Sequence, residues 1–408
     1  MKCRFCQSEL TYQFIDLGSA PPSNAYLTAE QLQMPEKWYP LRVLFCTNCW
    51  LVQTADYRNA EELFDSSYAY FSSFSTTWLA HAEQYVTAMV NRFHLNETSF
   101  VVEVAANDGY LLQFVKKAGI PCLGIEPTAS TAAAARNKGI TVIEDFFGVR
   151  LARKLNTQNK KSDLIVANNV LAHVPDINDF VQGFPLLLKP DGVATFEFAY
   201  IFRLIDGDQF DTIYHEHFSY LSFYAVKHIF EENGLLVFDV EELPTQGGSL
   251  RVYVQRKDTG SNPVTQRVTE LLAREINLGV NSIEYYSGFQ SRADGIKNDL
   301  ITFLIQAKRE NKKVVAYGAA AKGTTLLNYA GIRKDLLSFV ADLNPAKQGK
   351  YLPGCRIPIL SEKAIRDYRP DYVLILPWNI REEISTQLSY VKRWGGCFVT
   401  AVPTLEVR

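Results

Sequence analysis

The sequence predicts an α/β chain in three parts, and three observations carry that prediction. Apolar strand-like runs alternate with helix-periodic segments from Phe100 to Phe198, a rhythm that builds a parallel sheet covered by helices. The same rhythm restarts at Lys313 and runs to Val402. Ahead of both stand two Cys-x-x-Cys pairs, Cys3/Cys6 and Cys46/Cys49. The expected divisions are a metal-binding module over 1–65, a central domain over 66–258, and a smaller α/β domain with leading helices over 259–408.

Each Cys-x-x-Cys turn offers two thiolates to one ion, and two turns complete a tetrahedral sulfur shell. The alternatives are four free thiols or two disulfides; a redox motif needs one pair only. Four thiolates leave no open coordination position, so the expected ion is a structural Zn2+. The intervening segment is turn-rich around Gly18, Pro21 and Pro22, and the metal is expected to stand in for a core. With 42 basic and 44 acidic residues among 408, net charge −2, there is no electrostatic footprint for nucleic acid. No apolar run follows Met1-Lys2-Cys3-Arg4, and none reaches the length of a membrane span. The expectation is a cytoplasmic monomer with no membrane or nucleic-acid partner. Cys122, Cys355 and Cys397 stand alone in apolar contexts and read as buried thiols.

The central elements follow in order. Trp78, Leu79, Ala82, Tyr85, Val86, Met89, Val90 and Phe93 recur at helical spacing. Strands are expected at Phe100–Ala105, Cys122–Glu126, Thr141–Phe147, Asp163–Asn168 and Gly192–Phe198, with helices at Tyr110–Lys117, Ala129–Lys138 and Ile177–Leu188. Leu235–Glu241 and Leu250–Arg256 are separated by a turn, Thr245-Gln246-Gly247-Gly248, that leaves no room for a crossover, so they pair antiparallel. A parallel sheet that ends in a hairpin is the class I methyltransferase pattern. Long helices are expected from 264 to about 310, then a smaller Rossmann-like sheet from Lys313–Tyr317, Leu337–Asp342, Asp371–Leu376 and Cys397–Val402.

The loop after the first central strand, Glu103-Val104-Ala105-Ala106-Asn107-Asp108-Gly109-Tyr110-Leu111, is built of small residues and opens a helix, so backbone can approach a ligand closely. Its Glu103 and Asp108 would repel a pyrophosphate and welcome a sulfonium and an ammonium. The G-x-G-x-x-G dinucleotide spacing is missing. Glu126-Pro127 ends the second strand with a carboxylate suited to both ribose hydroxyls, or with a surface charge. Asp145 and Phe146 end the third strand, where an adenine would lie, and Asn168 ends the fourth, near an amino-acid end. This ordered set points to S-adenosylmethionine.

A second concentration is Tyr214-His215-Glu216-His217-Phe218-Ser219, whose density of proton-transfer groups suggests acid–base work. A second metal site or a polar loop are the competing readings. Here the chain resembles the zinc-containing, S-adenosylmethionine-dependent C-methyltransferases of deoxysugar biosynthesis. The shared motifs are the paired Cys-x-x-Cys module with Pro22-Ser23-Asn24-Ala25, Asn107-Asp108-Gly109-Tyr110-Leu111-Leu112, the Tyr214–Ser219 run, Gly247-Gly248-Ser249-Leu250-Arg251 and Gly318-Ala319-Ala320-Ala321-Lys322-Gly323. The resemblance implies methylation at C3 of a nucleotide-linked 4-keto-6-deoxyhexose through an enolate. It implies His217 as base, with His215 an open alternative, and Glu216 as its orienting group. Tyr214 and His173 become partners of the enolate oxygen, and Tyr68 or Tyr70 an active-site aromatic.

The second Gly-rich turn, Gly318 to Gly323, lacks an acid and places Lys322 at a helix start, which suits a phosphate. Asp342 at the next strand end suits a hydroxyl of a carrier nucleotide, and Lys347 closes the expected pocket. The resemblance adds Ser249 and Arg251 as phosphate contacts. A packing-only domain and a redox dinucleotide site are the alternatives here. For the whole chain they are an O- or N-methyltransferase of the same fold, or a zinc-ribbon ligand sensor without catalysis.

Overall fold

The computed structural model describes residues 1–55 and 71–408. Strands β1 (Tyr12–Ala20), β2 (Tyr39–Phe45) and β3 (Val52–Thr54) form an antiparallel sheet. Its fourth strand comes from far along the chain: Ser219–Tyr220 pairs antiparallel with β3, Val52 opposite Tyr220 and Gln53 opposite Ser219. The module therefore has a core, contrary to the expectation that a metal replaces one. Phe14, Ile15, Leu41, Val43 and Phe45 are buried together with Tyr286 and Phe289 of the later helices. The Phe14 and Phe289 rings stack at 4.6 Å. Much of this core comes from the C-terminal part of the chain, so the N-terminal segment read alone looks too poor to pack.

The central sheet contains β4 (Val101–Val104), β5 (Cys122–Ile125), β6 (Val142–Ile143), β7 (Ser162–Asn168) and β8 (Leu188–Ala199). After β9, the Ser219–Tyr220 strand, come β10 (Leu235–Leu243) and β11 (Ser249–Arg256). The order is β10-β11-β8-β7-β4-β5-β6. Strands β4 to β8 are parallel, and β11 runs antiparallel to both β8 and β10, the reversed strand the hairpin predicts. Burial from Val193 to Phe198 is continuous because β8 is covered on both faces. The expected strand Thr141–Phe147 shrinks to β6, an edge strand that pairs with β5 over two residue pairs.

Helices Gln266–Asn277 and Phe289–Arg309 lead into the third sheet. It is built from β12 (Val314–Tyr317), β13 (Val340–Ala341), β14 (Ile359–Leu360), β15 (Tyr372–Ile375), β16 (Cys397–Thr400) and β17 (Glu406–Val407), in the order β14-β13-β12-β15-β16-β17. All pairs are parallel except β16 with β17. The chain is thus a four-cysteine module, a class I methyltransferase domain and a C-terminal α/β domain. Among the described residues no helix is long and apolar enough to cross a membrane.

Candidate active site

The four module cysteines place their sulfurs within 4.8 Å of one another, with Cys3 and Cys49 at 3.5 Å and Cys6 and Cys46 at 3.5 Å. A tetrahedral zinc–thiolate shell spaces its sulfurs by roughly 3.8 Å, so the four donors fit Zn2+ and leave no position for a substrate. Gln53 Nε2 donates to Cys3 Sγ at 3.2 Å while its Oε1 accepts from Arg4 N at 2.9 Å. Arg4 then reaches the carbonyls of Pro175 and Thr54, both at 3.0 Å. Through Pro175 the module is bolted to the central domain two residues after His173.

A cavity of about 550 Å³ opens over the strand ends, and all three parts of the chain contribute to its wall. On the cofactor side it is lined by Ala105, Asn107, Tyr110, Glu126, Pro127, Asp145, Phe146 and Asn168. Ala105 and Asn107 take left-handed backbone angles, φ 58° and 48°, which turn the loop sharply out of β4. Glu126 accepts from Asn107 N at 2.9 Å, Thr128 N at 3.0 Å and Thr131 Oγ1 at 3.0 Å. Three of its roughly four acceptor sites are therefore taken, which narrows the expectation of two ribose hydroxyls to one. Phe146 leaves an apolar ring exposed at the mouth, and Asn168 holds a buried Oδ1 with no partner among the described residues. An aromatic base and an ammonium donor suit those two groups, so these residues fit S-adenosylmethionine.

Four predicted cofactor contacts do not line this cavity: Glu103, Asp108, Gly109 and Leu111. Side chains alternate along β4, and Val102 and Val104 join one core, so Glu103 points to the other face with Val101. Burial there pushes its carboxyl well above the usual carboxylate range, and nearby Glu126 and Asp108 add to the shift. Glu103 lies outside the cavity, and its burial disfavours the charge on which the expected cofactor contact relied. Asp108 accepts from Ser73 N and pairs with Lys138, both at 3.3 Å. Leu111 is core, and a side chain at Gly109 would lie 2.4 Å from Ile140 Cδ1.

On the reactive side Tyr214, Glu216, His217 and His173 line the cavity together. His217 Nδ1 lies 2.8 Å from the Thr212 carbonyl. A carbonyl only accepts, so the proton sits on Nδ1 and Nε2 carries the lone pair. Desolvation, with His173 and Lys322 nearby, holds His217 well below its ordinary pKa, so the ring is neutral. Tyr214 packs on it with ring centres 3.9 Å apart, and His173 meets it edge-on at 4.7 Å. His173 Nδ1 is bonded to the Glu216 carbonyl at 2.9 Å, and burial drops its pKa to about 4. The group bonded to His217 Nδ1 is the Thr212 carbonyl rather than the Glu216 carboxylate named in the expectation. Both Glu216 oxygens instead accept from Asn24 Nδ2 at 2.9 Å. His215 turns away: its Nε2 donates to the Tyr39 and Pro40 carbonyls, both 3.2 Å away, and it does not line the cavity. Tyr68 and Tyr70 lie outside the described residues.

On the third side Ala320, Lys322 and Lys347 line the same cavity, whereas Gly318, Gly323, Asp342, Ser249 and Arg251 do not. Lys322 Nζ donates to Asn379 Oδ1 at 2.7 Å over the Trp378 ring, and Lys347 Nζ donates to the Ala319 carbonyl at 2.9 Å. Asp342 ties its own loop to the Gly-rich turn, accepting from Asn344 N and Ala319 N at 2.8 Å each, with Lys347 Nζ 3.6 Å away. Gly318 (φ 88°) and Gly323 are close-packing positions, their added Cβ meeting Pro377 at 2.5 Å and Leu376 at 2.7 Å. Ser249 donates to the Thr245 carbonyl at 2.9 Å. Arg251 is buried against Glu197 at 2.8 Å and Glu241 at 3.2 Å, so its assignment to phosphates is corrected: two carboxylates already hold the charge.

Sequence reasoning missed Asn24 and Thr212. Asn24 sits in the quoted Pro22–Ala25 motif, a signal that was available. Thr212 acts through its backbone and leaves no residue-type signal.

Three family models match in sequence order: "Putative zinc binding domain" over residues 3–64, "Methyltransferase domain" over 78–240 and "C-methyltransferase C-terminal domain" over 244–403. C-methyltransferase NovU of Streptomyces niveus is 32% identical over 406 residues, spanning 100% of this chain and 96% of that one. A ubiquinone biosynthesis O-methyltransferase of Actinobacillus pleuropneumoniae serotype 7 (strain AP76) is 34% identical over 106 residues, 24% of this chain and 44% of the other. Among solved structures, magnesium protoporphyrin IX methyltransferase of Synechocystis PCC 6803 with bound SAH aligns at TM-score 0.36 and 16% identity over 44% of this chain and 83% of that one, too slight a likeness to carry an argument. With full-length identity and the zinc-binding, methyltransferase and C-terminal segments matched in the same order, the chain belongs to the S-adenosylmethionine-dependent C-methyltransferases of the NovU type.

Proposed function

We propose that the chain methylates C3 of a nucleotide-linked 4-keto-6-deoxyhexose, with His217 as the general base. The observation that carries this reading is the Thr212 carbonyl at 2.8 Å from His217 Nδ1, which leaves Nε2 as a proton acceptor in the cavity wall. A ketone at C4 makes the C3 hydrogen acidic. Nε2 takes that proton, and the electron pair moves onto the carbonyl oxygen as an enolate. A neutral imidazole of lowered pKa is a weak base for a C–H bond, so donors at the developing oxyanion supply much of the stabilisation. One such donor typically contributes about 3–4 kcal/mol. Tyr214, which packs on His217, is the assigned donor to that oxygen; the Glu216 carbonyl holds the His173 proton on Nδ1, so the donor role expected of His173 is not carried forward. S-adenosylmethionine, when bound, would supply the electrophilic methyl group to C3, its S–CH3 bond breaking to leave S-adenosylhomocysteine. Ala320, Lys322 and Lys347 take the carrier's phosphates, because Lys322 stands at a helix start in the same cavity.

The test is incubation with methyl-labelled S-adenosylmethionine and nucleotide-linked 4-keto-6-deoxyhexoses. Label on C3 is expected. Label on oxygen or nitrogen overturns the reading, since neither acceptor needs an enolate.

A further inference from the structure

The Trp378 indole ties the C-terminal domain to the turn that precedes the base. Its Nε1–H donates to Asp211 Oδ2 at 2.8 Å, and Asp211 is fully buried. The next residue, Thr212, gives its carbonyl to His217 Nδ1, and its hydroxyl donates back to the Gln209 carbonyl at 2.7 Å. Gln209 Nε2 donates to the Gly247 carbonyl at 2.9 Å. Gly247 (φ 90°) lies so close to Trp378 that an added Cβ would come within 2.8 Å of the indole ring. The turn Phe210–Thr212 is therefore held by the indole, through Asp211, and by the β10–β11 hairpin, through Gln209. The Lys322 ammonium lies 4.6 Å from the same indole ring. The residue type at 378 is thus asked for two things at once, an aromatic face and a ring N–H.

We propose that Trp378 and Asp211 are positioning residues for His217: they fix Phe210–Thr212 so that the Thr212 carbonyl faces Nδ1, and thereby decide which ring nitrogen keeps the lone pair. A neutral imidazole carries one N–H and one acceptor, and the hydrogen bond made by one nitrogen sets the state of the other. Loss of the Thr212 contact frees the proton to move to Nε2, where the ring no longer accepts a proton from the substrate. Removing the indole N–H leaves a buried carboxyl without its partner across the domain boundary, and such a group relaxes by moving its backbone. The C-terminal domain, beyond gripping a nucleotide, then prepares the base. This inference deepens the reading of His217 as base and rests on it.

The test reads the tautomer directly. In protein labelled with 15N-histidine, the His217 ring signals are identified by their loss in His217→Ala. In the wild type they report a protonated Nδ1 and an unprotonated Nε2. Trp378→Phe keeps a ring beneath Lys322 and deletes the N–H; the two His217 signals are expected to converge as the tautomers mix. On the proposed substrate, kcat should fall by about tenfold or more, within the range of general-base contributions, with a smaller change in KM. Asp211→Ala is expected to act in the same way and serves if Trp378→Phe does not fold. Asp211→Asn, which keeps an acceptor for the indole, should recover the wild-type tautomer. Unchanged His217 signals in Trp378→Phe or Asp211→Ala overturn the proposal, whatever happens to the rate. The signals are recorded without substrate, so a wild type that fails to methylate carbon sinks the base assignment separately.

Discussion

Thr54 donates its hydroxyl to the main-chain carbonyl of His217 at 2.5 Å. Thr54 ends β3, the strand that leaves the Cys46–Cys49 knuckle, and its own N–H donates to the Phe218 carbonyl at 3.1 Å. The metal module thus holds the backbone of His217, the proposed base. Thr54→Val is expected to lose about 1–2 kcal/mol of stability and to lower kcat while leaving cofactor affinity near wild type. Urea unfolding and cofactor titration check this; an unaltered kcat would show that the contact has no bearing on His217.

Metal analysis should find about one zinc per chain, and a chelator strong enough to strip it should lower the melting temperature and the rate together. Cys46→Ser should destabilise the fold more than it changes the chemistry. A zinc-free protein with full stability would contradict the sulfur geometry.

His217→Ala should abolish exchange of the substrate's C3 hydrogen in deuterated water, with a loss in turnover of roughly 10²–10⁴. Binding of S-adenosylhomocysteine, followed by thermal shift, should persist, because Glu126, Phe146 and Asn168 are untouched. Retained exchange would assign the base elsewhere.

Acid should destabilise the protein through its histidines. His173 titrates near 4 in the fold, against about 6.5 unfolded. Between those values the unfolded chain binds more protons, so stability is present above pH 6.5 and is lost as pH falls towards 4. His217 is shifted in the same direction. Urea unfolding at pH 7.5 and pH 5 should give a smaller difference for His173→Gln than for wild type. An equal or larger difference would mean that His173 is not held neutral.

Arg251→Met should cost about 3–5 kcal/mol, because it removes the guanidinium paired with buried Glu197 and leaves that carboxylate only His81 and Thr245. Affinity for a nucleoside diphosphate should be unchanged. A selective loss of that affinity would restore Arg251 to the substrate side.

The paired cysteines, the parallel sheet with its terminal hairpin and the Tyr214–His217 run were legible because each is a local pattern with a chemical reason. What escaped depends on tertiary facts. Glu103 sits in an all-buried strand, where no polar alternation tells which face a side chain takes. Arg251 follows a Gly-rich turn as a phosphate ligand would, yet its partners Glu197 and Glu241 arrive on neighbouring strands. Strand β9 is two residues long, below any periodicity, and is made by its pairing with β3. The different surroundings of His215 and His217 rest on the Tyr39, Pro40 and Thr212 carbonyls, and a carbonyl has no letter in the sequence.

That pairing of β3 with β9 also sets an order of assembly. A ribosome delivers residues 1–55 first, yet their sheet stays open along β3 until residue 220 has emerged. Until then an unsatisfied strand edge waits beside the nascent sulfur cluster. An excised N-terminal fragment should consequently bind zinc and still self-associate through that edge, whereas the full chain closes it from within.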